Sequence, residues 1–139
     1  MERRFATFEA DFPDDATWSA SGDIVTPTGR NVCAALASAF EDCGFEVSKL
    51  YQHEDYGWEF TANKDKEKYM FLLQYAEPWL LIAEDRSGLF DKLRRPSRLV
   101  DALRAVTVNL NRDSRFKRVR WYTRAEYEQG CLPGTGGLP

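Results

Sequence analysis

The stretch that decides the fold runs from Tyr56 to Glu84. It reads Tyr56-Gly57-Trp58-Glu59-Phe60-Thr61-Ala62, a polar break over 63–68, Tyr69-Met70-Phe71-Leu72-Leu73-Gln74-Tyr75, the break Ala76-Glu77-Pro78, and Trp79-Leu80-Leu81-Ile82-Ala83-Glu84. Aromatic and branched residues fill the three runs, while Asn, Asp, Lys and Pro fill the breaks, so the stretch reads as three short strands in an antiparallel meander. In the first run Trp58, Phe60 and Ala62 point one way, with Glu59 and Thr61 the other. The second and third runs are apolar on both faces: Met70 and Leu72 oppose Tyr69, Phe71, Leu73 and Tyr75, and Leu80 and Ile82 oppose Trp79, Leu81 and Ala83. Such strands need cover on both sides. Helices supply it on one side; the N-terminal segment or another protein must supply it on the other.

Two helices flank the meander. Pro27-Thr28-Gly29 opens the first, whose Val32, Leu36, Ala39, Phe40 and Cys43 recur at spacings of three and four before Gly44 offers a left-handed stop. Ser97 opens the second, with Leu99, Leu103, Val106 and Leu110 as its apolar stripe. Further strands are expected at Phe45 to Tyr51 and around Val119 and Trp121, and Arg3 to Phe8 reads as an edge strand. The loop 85–96 is expected to be anchored by Leu89, Phe90 and Leu93. This order predicts an α+β fold, a mainly antiparallel sheet of about five strands with two helices packed on one face.

The 139 residues, 43% of them apolar, suit one packed domain over 1–128. Residues 1–26 read as an arm pinned by Phe5, Phe8, Phe12 and Trp18, and the Gly/Pro-rich 129–139 as a flexible tail. The N-terminus lacks the apolar run of a signal peptide and no window approaches a membrane span, which predicts a cytoplasmic protein. Three cysteines fit that expectation: Cys33 and Cys43 share a helix roughly 15 Å apart, too far to bridge, and Cys131 lies in the tail. Charge is uneven. Residues 1–62 hold 4 Lys/Arg against 12 Asp/Glu, whereas residues 86–128 hold 12 against 5. The two ends of the chain neutralise one another or steer a partner.

No catalytic constellation stands out. His53 is the only histidine, and Glu54 and Asp55 follow it, but three consecutive residues do not converge; a polar turn is the plainer reading. The same three fail as a metal site for want of a second histidine or paired cysteines. No cofactor motif is present. A pocket that sets His53, Glu54 and Glu59 against Trp58 is the enzymatic or ligand-binding alternative. The Arg-rich last third, where Arg118 and Arg120 interleave with Trp121 and Tyr122, offers phosphate-neutralising cations and stacking faces, although a paired or solvated basic face accounts for it more simply.

Pro27-Thr28-Gly29-Arg30, Gly44-Phe45, Tyr56-Gly57-Trp58-Glu59-Phe60, Trp79-Leu80-Leu81 and Phe116 to Tyr122 together resemble small uncharacterised bacterial single-domain proteins. They are also similar in style to immunity proteins that neutralise toxins of bacterial competition systems. The resemblance covers roughly residues 27–122 and rests on aromatic framework positions, so no functional residue carries over. It implies a cytosolic, non-enzymatic binder of one cognate protein such as a toxin; homodimerisation through the exposed sheet face is compatible with this reading and with its alternatives. The candidate contact residues are His53, Glu54, Asp55, Trp58, Glu59, Arg118, Arg120 and Tyr122. Nucleic acid is a lesser alternative, and no membrane association is expected.

Overall fold

The computed structural model describes all 139 residues. The meander forms as its composition demands: β6 (Gly57–Lys64), β7 (Glu67–Gln74) and β8 (Trp79–Asp85) pair antiparallel in unbroken register. β6 is flanked on its outer side by two fragments, β4 (Glu46–Val47) and β5 (Tyr51–His53), so the single strand expected over 45–51 is broken in two. The chain is α+β with a seven-stranded antiparallel sheet, a separate hairpin of β2 (Thr17–Trp18) and β3 (Ile24–Thr26), and four helices. That exceeds the five strands and two helices expected. The extra pieces are short, below the length at which hydrophobic periodicity is readable.

The N-terminal segment departs most from expectation. β1 (Phe5–Ala10) is no edge strand; it lies between β8 and β9 (Phe116–Tyr122), antiparallel to both. Ala6 and Phe8 therefore enter the core, with Phe8 edge-on to Phe116 at 5.5 Å and Phe12 at 5.5 Å from the same ring. Trp18, expected to pin the arm, is instead 60% exposed.

α1 (Arg30–Asp42) and α3 (Arg98–Arg112) cover one face of the sheet, each through the stripe read from its spacing. Phe40 of α1 sits 4.3 Å from Phe71 and 5.8 Å from Phe60, an aromatic cluster at the centre of the core. The carboxylate of Asp15 accepts the amides of Gly29 and Asn31, both at 2.8 Å. It thus occupies the N-terminus of α1, where a free anion would otherwise be attracted. Gly29 has φ 107, and a β-carbon there would meet the Trp79 ring at 2.8 Å, so the close approach of β8 to the helix start requires glycine. The short α2 (Leu89–Arg94) presents Leu89, Phe90 and Leu93 to solvent at 72%, 81% and 70% exposure. These are not the buried anchors that their hydrophobicity suggested.

α4 (Arg124–Glu128) and the tail close the β9 side. Residues 129–139, read as flexible from composition, fold back: Trp121 and Gly137 exchange backbone hydrogen bonds at 2.7 and 2.8 Å, and Arg104 donates to the Pro139 carbonyl at 3.0 Å. Glu126 ties the tail to α4. Its carboxylate accepts the amides of Thr123 at 2.8 Å and Gly136 at 3.0 Å, with Arg3 at 3.2 Å. Those two amides, then Arg3, hold the Glu126 carboxyl down at about 2 against an ordinary 4.5. A carboxyl depressed by folding stabilises the structure above its unfolded value and loses that contribution as pH falls through its folded value. The Gly136 and Gly137 amide signals are therefore expected to keep their native positions above pH 4.5 and to move toward unstructured values between 4.5 and about 2. An NMR pH titration measures this; a tail that stays in place to pH 2 contradicts it.

Candidate binding surface

The face of the sheet away from α1 and α3 carries four of the eight residues singled out from sequence: His53, Glu59, Arg120 and Tyr122. Antiparallel register lines them up in rows, because cross-strand partners share a face. One row runs Tyr51, Glu59, Leu72, Ile82, Phe5, Tyr122 from β5 to β9. The neighbouring row runs His53, Gly57, Gln74, Leu80, Thr7, Arg120. At about 4.8 Å per strand, the row from Tyr51 to Tyr122 spans roughly 24 Å. The N-terminal segment does not lie over this face, since β1 is part of it. Tyr127 of α4 covers one corner by stacking on Phe5 at 5.4 Å, while Met70, Leu72 and Ile82 stay half-buried in the middle.

At the β5 end a rim gathers exposed aromatic rings and carboxylates. Gln52 donates from one side-chain nitrogen to the carbonyls of Val25 at 3.1 Å and Glu54 at 2.7 Å, joining the β2–β3 hairpin, the edge strand and the turn after it. Tyr51 and Tyr56 are 47% and 40% exposed there, and the hairpin joined through Gln52 carries exposed Trp18, Ile24 and Val25. His53 meets the Tyr56 ring edge-on at 5.3 Å and lies 3.8 Å from Glu59, beyond hydrogen-bonding distance. Glu54, with φ 54, and Asp55 turn outward, and Asp23 lies in the hairpin loop. Lys49, over the Tyr51 ring at 5.3 Å, is the cation of this rim.

Trp58 is not part of it. Its ring faces the helices, buried, with the indole N–H donating to the Pro27 carbonyl at 3.0 Å. Alternation along β6 puts Glu59 and Trp58 on opposite faces, so the pocket of His53, Glu54 and Glu59 against Trp58 does not assemble.

Arg118, Arg120 and Tyr122 sit at the other end of the sheet, bordering a cleft of about 760 Å³ between β1, the 75–79 turn and β9. The cations of this last third are largely engaged within the chain: Arg115 with Asp113 at 2.7 Å, Arg118 with Glu9, Arg120 with the Thr135 carbonyl at 2.8 Å, and Arg124 with Glu128 at 2.8 Å. Trp121 and Tyr122 are both buried, so neither offers a face to a base.

No family model, curated protein or solved structure matches this chain.

Every buried side-chain polar atom has a hydrogen-bond partner. Burial pushes the Cys33 thiol up to about 12 and raises those of Cys43 and Cys131 as well, which keeps all three from acting as thiolates near neutrality. No three His, Cys, Asp or Glu side chains gather at metal-binding distance, and no helix is long and apolar enough to cross a membrane. The exposed rings of Tyr51 and Trp18 escaped sequence reading because burial and exposure of an aromatic are set by the partner strand. Only the polar neighbours of Trp18, Thr17 and Ser19, hinted at its position.

Proposed function

We propose that this chain is a non-enzymatic protein that binds a basic surface on a protein partner, using the aromatic and acidic rim around β5 and the open sheet face beside it. One observation carries the reading: the rings of Tyr51 and Tyr56, 47% and 40% exposed, stand with His53 and Glu59 beside the exposed Glu54 and Asp55. Rigid aromatic anchors within a charged ring are the chemistry of interface hot spots, and uncompensated carboxylates speed the approach of a basic partner. The immunity or inhibitor role implied by the resemblance is one form of this function. Its partner would be a toxin whose docking surface is positively charged.

The test is affinity capture from native cells, followed by titration of the captured partner against variants. Wild type is expected to recover a stoichiometric partner whose affinity falls with added salt. Replacing Tyr51 and Tyr56 together with alanine is expected to weaken it by about 2 kcal/mol or more, roughly thirtyfold. A partner indifferent to both salt and that pair, or no stoichiometric partner at all, ends the proposal.

A further inference from the structure

α2 turns its apolar side away from the body of the molecule. On a helical wheel Leu89, Phe90 and Leu93 share an arc of about 100°, and Asp91 lies nearly opposite its middle. Asp91 is the one residue of α2 that is not exposed. It ties the helix to the fold by pairing with Arg98 of α3 at 3.9 Å, and Arg98 in turn reaches Glu67 of β7 at 3.8 Å. The root of the segment is fixed as well. The Arg86 amide donates to the Lys68 carbonyl at 2.7 Å, and the Lys68 amide donates to the Ser87 hydroxyl at 2.9 Å. A surface helix ordinarily buries its apolar face and leaves its charged face in water. α2 does the reverse: with Met1, its Leu89, Phe90 and Leu93 are the four most exposed large hydrophobic side chains of the chain.

The charge around this arc is of one sign. Residues 86–98 hold five Lys/Arg against Asp91 alone. Arg86 pairs with Glu84 and Arg98 points inward, whereas Lys92, Arg94 and Arg95 are exposed and take part in no ion pair. Lys92 and Arg94 border the apolar arc on either side. A protein groove that receives a helix reads anchors over two turns or more, at i, i+4 and i+7, and α2 is too short to supply them. Apolar side chains ringed by cations match instead the boundary between acyl chains and anionic headgroups, where long basic side chains reach the headgroups from an apolar footing. Such a contact lies on a bilayer and needs no spanning helix. Distance keeps the acidic rim out of the way: α2 stands at the Glu67 end of β7, and His53 borders the Gln74 end through Gly57. The two ends are roughly 24 Å apart, well beyond the screening length of physiological salt.

We infer that α2 seats this chain on an anionic lipid surface, Leu89, Phe90 and Leu93 entering the headgroup boundary while Lys92, Arg94 and Arg95 lie among the headgroup anions. The site is separate from the β5 rim and stands independently of the partner-binding reading.

The probe is flotation of the full chain with vesicles of phosphatidylcholine containing phosphatidylserine, against vesicles of phosphatidylcholine alone. Binding to the anionic vesicles is expected to be about tenfold tighter or more, and to weaken with added salt. Phe90→Ser should weaken it by about tenfold or more. Because Phe90 is 81% exposed, that variant should melt no lower than wild type. Replacing Lys92, Arg94 and Arg95 together with alanine should weaken binding about a hundredfold, at roughly fivefold per cation. No flotation with the anionic vesicles, or equal binding to both kinds, overturns the inference. So does anionic binding unchanged in Phe90→Ser, which would place the contact on cations elsewhere in the chain. A protein captured through Phe90 without any vesicle binding overturns it too, and makes α2 a protein contact.

Discussion

Replacing Phe71 with alanine is expected to remove about 3–5 kcal/mol of stability, a large share of what a domain of this size possesses. Phe71 is fully buried at the midpoint of β7, 4.3 Å from Phe40 and 5.1 Å from Phe60, so one deletion strips contacts from α1 and from β6 together. The rings around it are themselves held by backbone on three elements and close only partly over the cavity. Thermal unfolding should shift downward by roughly 10–20 °C. Phe71→Leu, which conserves most of the volume, should cost far less, about 1–1.5 kcal/mol. Denaturant titration of the pair checks the argument, and equal losses in the two would mean that the cavity is not what matters.

Trp121→Ala is expected to be comparably damaging, again about 3–5 kcal/mol, because Trp121 is the largest of the fully buried side chains and joins β9 to α3. Its indole N–H donates to the Thr107 hydroxyl at 2.9 Å, and that hydroxyl passes its own hydrogen to the Leu103 carbonyl at 2.6 Å. The two contributions separate by mutation. Thr107→Val keeps the volume but strands the indole N–H in the core, at about 1–3 kcal/mol. The hydrogen bond is thus the smaller part of what Trp121 contributes, and its bulk the larger. Chemical denaturation of both variants tests this order; a Thr107→Val loss equal to that of Trp121→Ala would reverse it.

The parts of this fold legible in the sequence are those governed by local pattern. The meander announced itself by strands of branched and aromatic residues between polar breaks, and the stripes of α1 and α3 by their three-and-four spacing. What was not legible depends on which strand finds which. Nothing in Phe5-Ala6-Thr7-Phe8 says that two strands from the second half of the chain will enclose it, so it read as an edge. Likewise Leu89, Phe90 and Leu93 read as buried because hydrophobicity is a statement about the residue, whereas exposure is a statement about its neighbours. Of the candidate site, His53 and Glu59 are brought within 3.8 Å on one face, and Arg120 and Tyr122 are placed on that same face at the far side. Trp58 went to the opposite face, as its alternation with Glu59 already required. The bulge that turns Arg118 aside is a register effect between β1 and β9 and leaves no mark in either strand alone.

The place of β1 has a consequence for how the molecule comes into being. β1 takes partners more than seventy and more than a hundred residues later in the chain, at Leu81 and Trp121. Contacts of such sequence separation are slow to form, since a long loop must close before they return any energy. During synthesis β1 waits unpaired, and the half of the sheet built from β4 to β8 presents β8 as a raw edge until β1 arrives. A chain shortened by its first ten residues would keep that edge for good, and the same gap would admit the first strand of a neighbouring copy as readily as its own.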